Sequence, residues 1–244
     1  MQAIAITKLR KEYKDVVAVD DISFEVNEGE LFSLLGVNGA GKTTTVKMLA
    51  TLTAPTSGDA EIYGMSIVKD ADKVKGLIDM SMQETAIARK LNVEENLKFY
   101  ARLSGQDKET VEKNVKRVCE VFGLDKVMKK RAGKLSGGWQ RKLSIALALV
   151  TEPKVLFLDE PTLGLDVIAR RELWKAIKEL KGKITIILTT HYMEEAEALS
   201  DRIGVMKDGK LLFVGSKEEL YKKTGKDNVE DAFVEIVTGG DIDA

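Results

Sequence analysis

The segment 36–43 constrains the fold more than any other part of the sequence. It has the sequence GVNGAGKT, follows a short apolar run, LFSLL, and precedes a helical pattern, KTTTVKMLATL. A glycine-rich loop between a strand and a helix turns its backbone N–H groups toward phosphate oxygens, beside the positive end of the helix dipole. The segment therefore predicts a nucleotide site on an α/β fold.

The rest of the chain predicts strands that alternate with helices. Residues 2–35 have strand patterns, VLFLDEP precedes the helical segment IARRELWKAIKEL, and the strand ITIIL runs into TTHYMEEAEAL, a predicted helix. Such alternation is typical of a mostly parallel sheet with helices on its faces, here with an N-terminal antiparallel β region. We expect one helical stripe to face the core: Ile168, Leu173, Trp174, Ile177 and Leu180.

The middle of the chain, residues 85–150, has a different pattern. Asn92 and Glu95 form a predicted capping box at the start of VEENLKFYARL, and further helical segments follow around 108–122 and 137–150. We therefore predict an α-helical subdomain that is inserted into the α/β core.

The C-terminal part predicts a hairpin and a helix. Asp208-Gly209 between alternating runs is a strong hairpin signal, and Ser216 with Glu219 predicts a capped helix at 217–223. The chain is thus interpreted as a single domain of 244 residues with three parts. These parts are an α/β core (1–84 and 151–225), the helical subdomain (85–150) and a short C-terminal extension (226–244).

Composition excludes several classes of protein. The formal net charge is −1, which argues against a nucleic-acid partner. Cys119 is the only cysteine, so an internal disulfide and a multi-cysteine zinc site are excluded, and its helical context predicts a buried thiol. No run approaches the roughly 18 apolar residues of a membrane span, and no signal-peptide pattern begins the chain. We expect another chain to supply any membrane part.

The chemistry of the loop predicts specific roles. Lys42 would reach the β- and γ-phosphates of a nucleotide, and the Thr43 hydroxyl would ligate Mg²⁺. Two acids follow the apolar strand 155–158: Asp159 would hold the metal through its hydration shell, and Glu160 would polarise an attacking water. An acid pair that only caps a helix is the alternative interpretation.

A second candidate phosphate site begins a helix, at LSGG (135–138). Ser136 and the two glycines that follow it offer a hydroxyl and free amides to an anion. Taken alone, the same pattern also suits a serine that simply caps a helix.

Six motifs in one order together resemble the ATP-binding subunits of ABC transporters, over nearly the whole chain. They are Walker A (36–43), the Q-loop glutamine Gln83, the signature LSGG (135–138), Walker B (155–160), a D-loop ending at Asp166, and the switch histidine His191. The resemblance implies a RecA-like P-loop core. The sequence departs from the family at Trp139, where glutamine is usual, and we expect this tryptophan to pack at an interface.

The resemblance also implies a composite site. Two copies, or this chain and a related ATPase subunit, would pack head to tail, with each ATP between one P-loop and the partner's LSGG. Glu160, His191 and Gln83 are then catalytic, while Thr43, Gln83 and Asp159 hold Mg²⁺. Implied nucleotide contacts are Tyr13, Ala18, Asn38, Gly39, Ala40, Gly41, Lys42, Thr43, Thr44, Ser136, Gly137 and Gly138.

Three of these assignments have structural alternatives. His191, the only histidine, has a purely structural role as its alternative, although it follows a strand at the sheet edge where ligands of such folds bind. Tyr13, which the resemblance stacks on adenine, suits a half-buried strand tyrosine equally. Gln83, expected near Mg²⁺ and water, has the alternative of an ordinary loop glutamine.

The segments THYMEEAEALSDRIGVMKDGKLLFVG and NVEDAFVEIVTGG look like the daunorubicin-resistance type of exporter ATPase. This implies a bacterial or archaeal exporter subunit that pairs with separate transmembrane permease subunits. It would be cytoplasmic and peripheral to the inner face of the cell membrane. A soluble ABC ATPase, for example of the iron–sulfur-assembly type, stays open as the alternative, and so does a regulatory module without turnover, which Glu160 and His191 oppose.

Overall fold

A computed structural model describes residues 1–239. In that part of the chain the strands are β1 (Gln2–Tyr13), β2 (Val16–Asn27), β3 (Leu31–Gly36), β4 (Ser57–Ile62), β5 (Met65–Ser66), β6 (Ile78–Ser81), β7 (Val155–Asp159), β8 (Thr185–Thr190), β9 (Arg202–Lys207) and β10 (Lys210–Gly215). The α-helices are α1 (Lys42–Leu49), α2 (Ala71–Lys75), α3 (Val93–Leu103), α4 (Lys108–Phe122), α5 (Gly137–Leu149), α6 (Val167–Lys178), α7 (Met193–Leu199), α8 (Lys217–Thr224) and α9 (Val229–Thr238).

Two sheets organise these elements. The larger sheet has the order β10-β9-β3-β8-β7-β6, parallel except for the antiparallel β9–β10 hairpin. The smaller sheet, β2-β1-β4-β5, is antiparallel throughout. The predicted α/β class, with a mostly parallel core and an N-terminal antiparallel region, is confirmed.

Strands β3, β7 and β8 carry the candidate site because they end together. Every residue of the three is buried, as expected of parallel strands covered on both faces. Leu35 pairs with Thr190 and Asp159 pairs with Thr189, so the carboxyl ends of the three strands lie side by side. Ligands of such sheets bind beyond this edge.

Helices α3, α4 and α5 share one buried cluster with the face of the large sheet. Asn92 and Glu95 form the predicted capping box of α3 in both directions, and Asp107 caps α4. Cys119 is buried on α4, as predicted. The division of the chain at 85–150 stays a prediction, because this cluster runs continuously from the helices into the core.

The C-terminal predictions are also confirmed where the structure describes them. Asp208 and Gly209 both have positive φ and join β9 to β10, and Ser216 with Glu219 caps α8 reciprocally. The region named as a C-terminal extension contains α9, whose Phe233 belongs to one buried cluster with Ile203, Val205 and Phe213 of the β9–β10 hairpin. Its last residues, 240–244, lie outside the described residues. Within the described part, no helix combines the length and apolarity that a membrane crossing requires.

Three local predictions are wrong. Ile168 is 73% exposed, because it lies in the first turn of α6 at the end that projects beyond the core, and Trp174 is only partly buried. Thr189 and Thr190 extend β8 through pairing with β3, so the predicted helix begins only at α7. Helix α1 stops short of its pattern, since Thr51 has a left-handed φ of 57°.

Candidate functional site

The loop between β3 and α1 has the backbone that its glycines predict. Gly41 has a φ of 100°, and a Cβ atom there would lie 2.4 Å from the carbonyl oxygen of Ala18. Only glycine fits this position, for both conformation and space. The loop leads directly into α1, so its amides and the first turn of the helix face the same volume.

A cavity of about 390 Å³ lies over this loop. Its lining includes residues 38–44 together with Ala18, Gln83, Glu160 and His191. These residues come from β2, the β3–α1 loop and the ends of β6, β7 and β8. The structure thus brings most of the predicted nucleotide and catalytic residues to one place.

Lys42 is almost fully buried at the floor of the cavity. Its Nζ donates to the carbonyl oxygens of Gly36 at 2.8 Å and Val37 at 3.1 Å, and lies 3.7 Å from Oε1 of Glu160. Burial lowers the pKa of Lys42, and the nearby carboxylates of Glu160 and Asp159 oppose that shift. The ammonium is therefore held by groups that a phosphate can replace.

Asp159 ends β7 and is 2% exposed. Its Oδ1 accepts hydrogen bonds from Thr43 Oγ1 at 2.9 Å and Thr189 Oγ1 at 2.6 Å. Thr43, Asp159 and Gln83 also line a second cavity beside the first. Hydroxyl, carboxylate and amide oxygens are a donor set that suits Mg²⁺, which takes one or two protein ligands and completes its shell with phosphate and water. No cluster of three or more acidic, histidine or cysteine side chains that suits a metal occurs in the described residues.

Glu160 follows Asp159 with a φ of 45°, a left-handed conformation that is strained for a glutamate. Its backbone N–H points to Thr189, with the carbonyl oxygen and Oγ1 both at 3.1 Å. The carboxylate thereby lies between Lys42 and His191, whose Nδ1 is 3.1 Å from Oε2. This contact is not a hydrogen bond, and Nδ1 is buried without a hydrogen-bond partner among the described residues.

Tyr13 is one predicted nucleotide contact that does not line the cavity. It lies at the end of β1, about half exposed, with Lys11 Nζ 4.9 Å from the ring centroid. Ala18, five residues later in β2, does line the cavity.

Ser136, Gly137 and Gly138 also lie apart from this cavity. Ser136 has the backbone conformation of an N-cap for α5, yet its side chain makes no capping hydrogen bond, and both Ser136 and Gly137 are exposed. A Cβ on Gly138 would lie 3.0 Å from Cβ of Ala169, so the start of α5 packs against the start of α6. Trp139 packs on the buried cluster of the helices, and its ring centroid lies 4.7 Å from Nζ of Lys142.

Two residues at the site were missed from the sequence. Thr189 bonds both Asp159 and Glu160, and it directly follows the apolar strand ITIIL, which is a signal that could have indicated it. Arg141, inside α5, donates to backbone carbonyls beside Glu160. Its only sequence signal was that two adjacent charged residues, Arg141 and Lys142, directly precede the apolar half of α5.

The sequence model of one family, described as ABC transporter, matches residues 19–163. The doxorubicin resistance ATP-binding protein DrrA of Mycobacterium tuberculosis (strain CDC 1551 / Oshkosh) is 42% identical over 238 residues, 96% of this chain and 70% of that protein. The probable multidrug ABC transporter ATP-binding protein YbhF of Escherichia coli (strain K12) is 37% identical over 240 residues, 96% of this chain and 41% of that protein.

Solved structures agree with these relatives. One, described as the ATP binding subunit of an ABC transporter, has a TM-score of 0.85 at 26% identity and covers 96% of this chain and 99% of its own. The family match contains the phosphate-binding loop, Gln83, the LSGG segment and the acids that end β7. The chain therefore belongs to the ABC transporter family, as an ATP-binding and ATP-hydrolysing subunit similar to those of the multidrug type.

Proposed function

We propose that this chain is the ATPase subunit of an exporter and works as a head-to-tail dimer beneath separate membrane subunits. One observation carries the proposal: the phosphate-binding loop, Gln83, Glu160 and His191 line one cavity, whereas Ser136 and Gly137 are exposed elsewhere with their polar groups free of a capping role. A second copy of the chain would supply its Ser136 and Gly137 to the side of the cavity that this chain does not line.

ATP binds with its phosphates on the amides of residues 38–44. Lys42 exchanges its carbonyl partners for phosphate oxygens, which makes stronger, charge-assisted hydrogen bonds. Thr43 and Asp159 would hold Mg²⁺, with Gln83 close by. When bound, the metal neutralises charge on the β- and γ-phosphates.

Glu160 then orients and polarises the attacking water. A bond forms between the water oxygen and the γ-phosphorus as the bond to the ADP oxygen breaks, and the carboxylate accepts the water proton. His191, 3.1 Å from that carboxylate, fixes the water and the γ-phosphate from the other side. Thr189 holds the backbone of Glu160 and the carboxylate of Asp159 in register.

The partner's Ser136 hydroxyl and the amides of Gly137 and Gly138 complete the site at the γ-phosphate. An exposed apolar strip supports this surface as an interface: Leu163 borders the cavity, while Val167 and Ile168 project at the start of α6, beside α5. Engagement of the γ-phosphate from both sides favours the closed dimer, and hydrolysis removes part of that binding energy.

The proposal of membrane partners is supported by the relatives and by a second exposed surface. Leu52 and Met82 are exposed and border one shallow apolar cavity. Phe99 is also exposed. The next residue, Tyr100, donates a hydrogen bond from its hydroxyl to the carbonyl oxygen of Ala86. Relatives named for doxorubicin resistance and multidrug transport favour export over a soluble ABC ATPase. We accordingly propose a cytoplasmic chain that is peripheral to the membrane.

The dimer is tested with Glu160→Gln, which slows hydrolysis and preserves the ATP-bound state. Size-exclusion chromatography should show dimers with Mg·ATP and monomers with Mg·ADP. Adding Ser136→Arg should remove the dimers without weakening ATP binding, because the cation blocks the partner's phosphate. If Ser136→Arg weakens ATP binding as much as Lys42→Ala does, the LSGG segment serves its own subunit and the proposal is wrong.

Mixing variants gives an independent test. Lys42→Ala chains combined with Ser136→Arg chains form one composite site with both defects and one with neither. The mixture should therefore hydrolyse ATP although each variant alone does not. A mixture as inactive as its components contradicts the shared site.

A further inference from the structure

Arg141 is a buried cation whose partners are backbone atoms. It lies on α5 and is 3% exposed. Its Nε donates to the carbonyl oxygen of Pro161 at 2.7 Å and its Nη2 to that of Asp159 at 2.8 Å. Its Nη1 donates to Gln83 O at 3.1 Å and to Met82 O. In the described residues no carboxylate forms an ion pair with it.

This arrangement needs a guanidinium. Five N–H donors in a rigid planar fork can serve several carbonyls at once, whereas a lysine ammonium is a point charge with three donors. Burial lowers the pKa of Arg141 to about 10, and the carboxylates of Asp159, Glu195 and Glu160 oppose that shift. The side chain is therefore still a cation near neutral pH.

The carbonyls that Arg141 holds flank the proposed catalytic groups. Asp159 and Pro161 stand on either side of Glu160, whose φ of 45° must be maintained against strain. Gln83, the third partner, lines the cavity with Glu160. The Arg141 side chain thus fixes both the segment 82–83 and the segment 159–161. It does so from α5, the helix that begins with the LSGG glycines.

We propose that Arg141 is a positioning residue for hydrolysis: from α5 it sets the backbone of Glu160 and Gln83, and so links the start of that helix to the chemistry of its own chain's site. The inference rests on the proposed roles of Glu160 and Gln83. Arg141 makes no hydrogen bond to the phosphate-binding loop itself, so its loss should affect turnover far more than ATP binding.

The neighbouring Lys142 provides a matched control. It is also buried and also links α5 to another element, through an ion pair with Glu172 of α6 at 2.7 Å. It contacts neither Gln83 nor the residues around Glu160. Lys142→Gln therefore reports what the loss of a charged interhelical contact does by itself.

The experiment compares Arg141→Lys, Arg141→Gln and Lys142→Gln in the full chain. We measure kcat, the Kd for Mg·ATP, the thermal midpoint and amide hydrogen exchange. Both Arg141 variants should lose about 10- to 100-fold in kcat with Kd nearly unchanged, the range typical when a side chain that orients a catalytic group is removed. Exchange should rise at residues 81–84 and 159–163. Lys142→Gln should change only the thermal midpoint.

Three outcomes overturn the inference. The first is a kcat for Arg141→Lys within about twofold of the parent, a difference that is under 0.5 kcal/mol. The second is a loss of kcat that matches the control at equal thermal midpoint. The third is loss of the fold in both Arg141 variants while Lys142→Gln folds, which assigns Arg141 to stability alone. Glu160→Gln is run alongside: if it retains turnover, the proposed function fails, whereas its inactivity with active Arg141→Lys defeats this inference only.

Discussion

The Nδ1 atom of His191 lies 3.1 Å from Oε2 of Glu160, although the two residues directly follow different strands. Adjacent parallel strands β7 and β8 deliver them to the same edge of the sheet. Water activation needs a base within hydrogen-bond reach of the water, and this edge of the sheet places Glu160 as that base with His191 beside it.

Replacing Glu160 with glutamine tests its role as the base. Glu160→Gln should lower kcat by about 10²–10⁴-fold, as is typical when a general base is lost, while ATP binding persists. A steady-state phosphate-release assay together with an ATP titration measures both. The control is Glu179→Gln, an exposed acid beyond the end of α6. Turnover near the parent value would move the role to another group, first to His191.

Lys42→Ala removes the cation at the floor of the cavity. Because the ammonium makes charge-assisted bonds to phosphate, we expect a Kd for Mg·ATP raised at least about 100-fold, and hydrolysis lost with it. Lys75→Ala, at a surface ion pair with Asp72, is the control and should bind normally. Wild-type affinity in Lys42→Ala would refute the phosphate-site assignment.

Thr189→Val removes one hydroxyl that contacts both Asp159 and Glu160. The Asp159 carboxylate would lose a 2.6 Å bond and its fixed orientation, so the apparent affinity for Mg²⁺ in ATP hydrolysis should fall about 10- to 100-fold. Thr185→Val is the matched control, since its buried hydroxyl accepts from Gly29 at the opposite end of β8. Equal Mg²⁺ dependence in the two variants would contradict this role.

The single cysteine gives a pH-dependent prediction. Burial raises the pKa of the Cys119 thiol from 9.0 to about 12, so the folded state keeps the proton that the unfolded state releases. The contribution of this group to stability is therefore intact below pH 9 and declines as the pH rises above it. At pH 8 iodoacetamide should label native protein far more slowly than urea-unfolded protein. Comparable rates would show that the thiol is accessible.

Local signals made much of the fold predictable. The glycine-rich loop between a strand and a helix, the acids after an apolar run, and the serine or asparagine caps each act within a few residues. Sequence therefore sufficed for β3, β7, the start of α1 and both capping boxes. The short strands β4 and β6 have no such local signal, and each pairs with a strand that is distant in sequence, β1 and β7 respectively.

The contacts that were missed depend on long-range geometry. Arg141 meets carbonyls of Met82 and Asp159 only because α5 crosses the ends of β6 and β7. Ile168 fits an apolar helical stripe, yet its turn lies beyond the core, where periodicity alone cannot distinguish burial within a chain from burial against another. Thr189 was missed for a different reason. It contacts Asp159 and Glu160 because β8 pairs with β7, and that pairing had to be known first.

The left-handed backbone of Glu160 sets stability against activity. A non-glycine residue in this conformation costs about 1–2 kcal/mol, which glycine would not incur. Glu160→Gly should thus relieve this strain and abolish turnover, while it also removes the carboxylate 3.7 Å from the buried Lys42 ammonium. Selection on transport must continually act against the conformational preference of the chain at this one residue.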